Sequence, residues 1–271
     1  MAAQDFNAVV AQRVEVAPGL AILRIVPRGC DLPPFEAGQY TVLGLPGSAA
    51  RVPMSDPEEP PALPDKMIRR AYSIASSSVE GQYVEFYVTL VRSGALTPRL
   101  FALGPGSPVW LSPKIVGMFT LERVPAGSHV ILVATGTGIA PYMSMLRTHL
   151  AQIREPRVAV VHGARHTWDL GYRAELETMQ RLCPNFRYVP VISSPEEESL
   201  PWTGRRGYVN DHWKSGELEG MIGFEPRPSE THVFLCGNPL MIEAMLDVLG
   251  SQGFAEQTPK APGTVHLERY W

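Results

Sequence analysis

Arg70-Ala71-Tyr72-Ser73 brings a cation, an aromatic ring and a hydroxyl together within four residues. On a strand, alternation sets Arg70 and Tyr72 on one face and Ser73 on the other. An arginine fork grips a diphosphate with two parallel hydrogen bonds. A tyrosine ring on the same face covers one side of an isoalloxazine, and the serine hydroxyl meets its polar atoms. An ordinary surface arginine beside a half-buried strand tyrosine fits the same string. Ser93-Gly94-Ala95-Leu96-Thr97 reads as a glycine turn entering a short helix. Its first N–H groups and the Thr97 hydroxyl suit a diphosphate; the plain alternative is a helix start capped by Thr97 or Ser93.

Gly136-Thr137-Gly138-Ile139-Ala140-Pro141 follows an apolar run and leads into a helix. Such glycines let backbone approach a ligand closely, and a dinucleotide's phosphates can lie against the N–H groups. Pro141 falls in the first turn, where proline is tolerated. The third glycine of the dinucleotide fingerprint is missing, and similar turns occur in α/β proteins that hold no cofactor. In Cys236-Gly237-Asn238-Pro239, the cysteine closes a strand and the glycine leaves room above it. A free cysteine also serves as a small buried hydrophobe, which is the reading given to Cys30 and Cys183. In this order the strings suggest a flavoprotein that exchanges hydride with a nicotinamide. That transfer needs alignment and water exclusion rather than a thiolate nucleophile.

These strings need elements to hold them. Residues 14–16 and 20–26 are β-rich runs broken by Ala17-Pro18-Gly19, a hairpin signal; 40–45, 71–76, 83–91 and 108–111 add strands. Together they predict a small antiparallel barrel, interrupted by a short helix over 97–103. Residues 46–64, rich in proline and acids, predict a mobile loop. The pattern changes near 124–127. Strand-like runs at 129–134, 157–162, 186–192 and 232–236 alternate with helical runs at 141–153, 169–182 and 239–250. That alternation predicts a doubly wound parallel sheet. The expected domains are 1–123 and 124–271.

The 271 residues suffice for two domains, with 45% hydrophobic and 19% charged residues as in globular chains. A net charge of −3 and dispersed basic residues argue against nucleic-acid binding. Three cysteines without a close pair support neither disulfides nor a cysteine-ligated cluster. No secretory signal or membrane-length apolar run is visible, so the expectation is a cytoplasmic protein with no membrane partner. A monomer is the default.

The series Arg70-Ala71-Tyr72-Ser73-Ile74-Ala75-Ser76, Gly94-Ala95-Leu96-Thr97, Gly136-Thr137-Gly138-Ile139-Ala140-Pro141 and Cys236-Gly237-Asn238-Pro239 resembles that of bacterial-type ferredoxin/flavodoxin–NADP reductases, some of which end in an aromatic pair like Tyr270-Trp271. The resemblance runs from about Gly38 to the C-terminus. It implies an FAD-binding barrel, an NADP(H)-binding α/β domain, and an acidic electron carrier, ferredoxin or flavodoxin, as partner. It assigns FAD to Arg70 (diphosphate), Ala71, Tyr72 (flavin ring), Ser73 (redox-active edge), Gly94, Leu96 and Thr97, with Tyr270 near the flavin and Trp271 on the adenine. It assigns NADP(H) to Thr137, Gly138, Arg165, Arg205, Cys236, Gly237 and Asn238. Ser73, Cys236, Glu268 and Tyr270 are the catalytic set, Glu268 in a polar supporting role and Tyr270 as a gate.

Coenzyme choice rests on Arg165 in His162-Gly163-Ala164-Arg165 and on Arg205 in Thr203-Gly204-Arg205. Two charge-assisted contacts of about 1.5–3 kcal/mol each favour NADPH by roughly two to four decades. Where relatives carry a second arginine, this chain has Ser193-Ser194-Pro195 and then Glu196-Glu197-Glu198. The acidic run either erodes the preference or is a solvated loop. Arg69, Arg92, Arg99 and Lys114 are docking candidates for the carrier, against the plainer reading of surface cations with no specific task. The rival functions are a flavin reductase or diaphorase with another acceptor, and a non-catalytic FAD scaffold or redox sensor.

Overall fold

Alternating apolar residues build the first sheet. The computed structural model describes residues 6–153 and 157–269. β1 (Ala8–Ala17) and β2 (Leu20–Pro27) form an antiparallel hairpin whose turn sets Gly19 at φ 77°. β3 (Tyr40–Pro46), β4 (Met67–Ser73), β5 (Val84–Thr89) and β6 (Pro108–Leu111) complete six antiparallel strands in the order β4-β3-β6-β1-β2-β5. Just past β4, the Ala75 N–H donates to the Glu85 carbonyl of β5 (2.8 Å) and joins the two ends of that order. Leu23, Ile25, Leu43, Val84, Phe86 and Val109 fill the interior, with Leu100 from α1 (Thr97–Phe101). This unit runs to Thr120 and takes in Met143–Thr148.

β1 starts well before the expected residue 14, because Ala8 and Val10 face the core while Ala11 and Gln12 are exposed. β4 is displaced toward the N-terminus of the predicted run, since its ladder with β3 ends at Ser73. The predicted mobile loop is a fastened one. Arg99, only 2% exposed, holds Glu58 through both carboxylate oxygens (2.9 and 2.8 Å). Arg51 donates to the carbonyls of Asp56 (2.8 Å) and Gly94 (3.0 Å). Arg99 is therefore not a docking cation.

The second unit is built on six parallel strands: β7 (His129–Thr135), β8 (Val158–Ala164), β9 (Phe186–Ile192), β10 (Arg205–Arg206), β11 (Thr231–Cys236) and β12 (Val265–Glu268). Their order is β10-β9-β8-β7-β11-β12, so the winding direction reverses between β7 and β11. One face packs Ile131, Val133, Ala159, Val161, Val233 and Leu235 under α4 (Val209–Lys214), α5 (Glu217–Ile222) and α6 (Pro239–Ser251). Residues of opposite parity, such as Leu132, Val160 and His162, are equally buried, as in a sheet covered on both faces. α2 (Ala140–His149) follows β7, and α3 (Arg173–Leu182) follows β8. α3 begins four residues later than predicted: Thr167–Asp169 forms a separate turn in which the Asp169 carboxylate accepts from the His166 N–H (3.1 Å). β10, α4, α5 and β12 were not predicted.

Candidate functional sites

In the antiparallel unit, β4 lies at a sheet edge, and Arg70 is exposed there. Its Nη1 donates to the Arg69 carbonyl (2.8 Å), and no carboxylate pairs with it among the described residues. Tyr72 is half-buried, edge-on to Phe86 at 6.3 Å between ring centroids; burial pushes its phenol well above the usual range. Ser73 is buried on the opposite parity. Beside Arg70 opens a cleft of about 930 Å³, lined also by Lys66, Arg69 and the Glu58-containing loop. Ser93 and Ala95 line it as well. Arg99 and Arg51 hold the Glu58 carboxyl down to about 2, so its charge is already balanced and the cleft remains cationic. That donor set fits a diphosphate.

The Gly94 turn holds itself together differently from expectation. The Thr97 hydroxyl accepts from the Val91 N–H (3.0 Å) and donates to the Val91 carbonyl (3.1 Å), closing the turn rather than standing free for an anion. Neither Thr97 nor Ser93 caps α1, whose N-cap is Leu96 without a side-chain bond. Leu96 is a core residue. A Cβ on Gly94 would crowd the Val91 carbonyl (3.0 Å) and the Thr97 hydroxyl (3.2 Å), so glycine permits the closure.

In the parallel unit, the turns after β7 and β11 interlock at the reversal of strand order, where open α/β sheets bind ligands. A Cβ on Gly138 would run into the Cys236 carbonyl, and one on Gly237, at φ 134°, into Thr135. The Thr135 hydroxyl accepts from the Asn238 N–H (2.7 Å). The Asn238 side chain caps α6 by accepting from the Leu240 N–H (2.8 Å). Below the turn, fully buried His162 sits 3.2 Å from the Gly136 carbonyl through Nε2 and 3.4 Å from the Tyr188 hydroxyl through Nδ1. A carbonyl only accepts, so Nε2 carries the proton. Burial pulls this imidazole down to about 4, keeping it neutral.

Cys236 and Glu268 are register partners on β11 and β12, and the thiol lies 3.9 Å from the carboxylate. Tyr142 donates to the Val133 carbonyl (3.0 Å), and burial, with the nearby Cys236 and Glu268, raises its phenol far above the usual range. The thiol and carboxylate are thus brought together at the carboxyl ends of adjacent strands. Tyr270 and Trp271, predicted to serve the flavin, lie outside the described residues.

Arg165 follows β8 and is not free. Its Nη2 donates to Glu197 Oε1 (2.9 Å), while Glu197 Oε2 meets His166 Nε2 (2.9 Å). Glu198 accepts from the Thr167 N–H (2.7 Å) and hydroxyl (2.6 Å). The acidic run stays solvated, with Glu196 and Glu197 exposed, but it is tied down: Glu197 and Glu198 fold back onto Arg165, His166 and Thr167. Arg205 is exposed on β10 and has no carboxylate partner among the described residues. Sequence reasoning missed Tyr142, and it named Thr135, His162 and Glu197 without the contacts they make here. The run of glutamates one strand after Arg165 was the available signal for Glu197.

The oxidoreductase NAD-binding domain family matches residues 132–247. The chain is 33% identical over 239 residues to the flavodoxin/ferredoxin–NADP reductase of Escherichia coli, covering 88% of each. It is 35% identical over 241 residues to ferredoxin–NADP reductase B of Sorangium cellulosum, covering 87% of this chain and 85% of that one. A ferredoxin NADP+ reductase of Neisseria gonorrhoeae, solved with bound FAD and NADP, superposes with a TM-score of 0.81 at 22% identity over 98% of both chains, which establishes a shared fold. With identities above 30% across most of its length and this architecture, the chain belongs to the ferredoxin/flavodoxin–NADP reductase family.

Proposed function

We propose that the protein oxidises NADPH and reduces ferredoxin or flavodoxin, with the antiparallel unit holding FAD and the parallel unit holding NADP(H). When bound, FAD accepts hydride from a nicotinamide and releases the electrons singly, linking a two-electron donor to a one-electron carrier. The observation that carries the proposal is the glycine interlock at the strand-order reversal, with Cys236 and Glu268 paired beside it. Gly138 and Gly237 let backbone come close to the coenzyme; Cys236 supplies a compact apolar surface along the nicotinamide's path, and Glu268 orients the thiol through its hydrogen bond. Thr137 and Asn238 contribute backbone around the coenzyme, Arg165 and Arg205 its 2′-phosphate contacts. In the other unit, Arg70 grips the FAD diphosphate, with backbone from Ala71, Gly94, Leu96 and Thr97 around it. Tyr72 covers the ring and Ser73 faces its reactive edge. Tyr270 and Trp271 are proposed for the flavin face and the adenine.

No described helix is long and apolar enough to cross a membrane. A cytoplasmic monomer that binds neither nucleic acid nor membrane is part of the proposal. Arg69, Arg92 and Lys114 stand as docking cations, although Arg69 lies over Trp110 (4.2 Å) and Arg92 pairs with Asp56 (3.1 Å). The test is an anaerobic visible spectrum before and after one equivalent of NADPH, followed by addition of oxidised ferredoxin. The expected result is a flavin spectrum that bleaches on mixing and returns as the carrier is reduced. A protein that takes up no FAD, or a bound flavin indifferent to NADPH and NADH, refutes the assignment.

A further inference from the structure

We propose that Glu197 sets coenzyme selectivity: it competes with a 2′-phosphate for Arg165 and offers an acceptor to a ribose 2′-hydroxyl, so one site serves both NADPH and NADH. This rests on the assignment of Arg165 to the coenzyme made above.

Glu197 is fastened in place. One carboxylate oxygen takes the Arg165 guanidinium at 2.9 Å and the other takes His166 at 2.9 Å. His166 is itself fixed by Asp169 (3.0 Å) and by stacking on Trp168 at 4.3 Å between centroids. The backbone leading in is tied by Ser193 N–H to the Ala164 carbonyl and Ser194 N–H to the Arg165 carbonyl, both at 3.0 Å. The chain leading out is tied by Glu198 to Thr167. The carboxylate therefore meets an incoming ribose in a set position rather than as a wandering surface charge.

The two nicotinamide coenzymes differ only at the ribose 2′ position. In nucleotide-binding α/β sheets a carboxylate accepts from the 2′-hydroxyl, whereas an arginine accommodates the 2′-phosphate. Here both determinants stand on one spot and neutralise each other. A 2′-phosphate must displace Glu197 or lie beside it, and two anions on one guanidinium repel. Arg165 retains further N–H donors, and Arg205 adds a second cation, so NADPH still binds. Its margin over NADH is cut by the charge at position 197. The pair is exposed, with 64% of the Arg165 side chain and 46% of the Glu197 side chain accessible. The effect is therefore several-fold rather than many decades.

The test is calorimetric titration of wild type, Glu197→Gln and Glu198→Gln with adenosine 2′,5′-bisphosphate and 5′-AMP, alongside KM for NADPH and NADH. Glu197→Gln is expected to raise the preference for the bisphosphate over 5′-AMP by about three- to tenfold. The KM ratio should move the same way, chiefly through a lower KM for NADPH. Glu198→Gln removes an equal charge from the same turn while its amide can still bond the Thr167 N–H and hydroxyl, so it should leave both ratios within about twofold. An unchanged or reduced preference in Glu197→Gln overturns the proposal. So does an equal rise in Glu198→Gln, which assigns the effect to the general charge of the turn. If wild type binds neither adenosine phosphate, the coenzyme role of Arg165 fails first and takes this inference with it.

Discussion

Gly237 shows how a single residue type carries geometry that no neighbour can supply. Its φ of 134° is closed to L side chains, and any Cβ would overlap Thr135, whose hydroxyl receives the Asn238 N–H. Gly237→Ala must therefore spread the turns after β7 and β11. The expected result is a loss of about 2–4 kcal/mol in urea unfolding, with a larger proportional loss in flavin reduction by NADPH. Unchanged unfolding and reduction in that variant would show that the turns are not interlocked. The glycine itself was legible in the sequence, because a Cys-Gly pair ending an apolar run announces a strand and a turn. Its contact with Thr135 was not, since the two lie about a hundred positions apart and only the parallel pairing of β7 with β11 brings them together. His162 was likewise read as context for Arg165, while its proton, directed at the Gly136 carbonyl, depends on a buried position that sequence does not reveal.

The elements that were legible are those with strong local signals. β6, β7, β9, β11 and α6 match their predicted ranges to within a residue, because long apolar runs end at proline, glycine or asparagine. α4, α5 and β12 escaped for a physical reason. Both helices are six residues long, with glycines at positive φ at 207, 216 and 223 marking their neighbourhood as turns. Their helicity comes from burying Val209, Trp213, Leu218 and Ile222 against the sheet, not from intrinsic propensity. The loop between β3 and β4 fails in the opposite sense: its composition predicts mobility, yet the Arg99–Glu58 pair anchors it. Glu58→Gln leaves the guanidinium of Arg99 nearly buried without its counterion, at an expected cost of about 3 kcal/mol. Proteolysis should then cut within residues 47–66 faster than in wild type. A variant as stable and as resistant as wild type would mean that the backbone bonds of Arg51 alone fasten the loop.

Across the whole chain, the two units carry titrating groups that fail in different pH windows. His162 in the parallel unit has its imidazole held near 4 by burial, against an ordinary value of 6.5. His266, stacked beside His232, is held near 4 as well, by burial and by the His232 and Arg123 charges; burial also lowers His232. Unfolded histidines bind protons at 6.5 and these folded ones resist until about 4, so their stabilisation is complete above 6.5 and is lost as pH falls to 4. For His162 alone the loss amounts to about 3 kcal/mol. Glu58 in the antiparallel unit is shifted from 4.5 to about 2, so its contribution is complete above 4.5 and disappears only as pH falls toward 2. Acid should therefore loosen the parallel sheet first. Hydrogen exchange between pH 6.5 and 4.5, corrected for its intrinsic pH dependence, should show protection falling in β7, β8 and β11 while β2, β3 and β5 keep theirs. His162→Gln removes the titrating group and should flatten the dependence of unfolding free energy on pH in that interval, though the variant begins less stable. A slope equal to that of wild type, or earlier loss of protection in the antiparallel sheet, would mean that His162 does not govern the acid response and that carboxylates dominate it throughout.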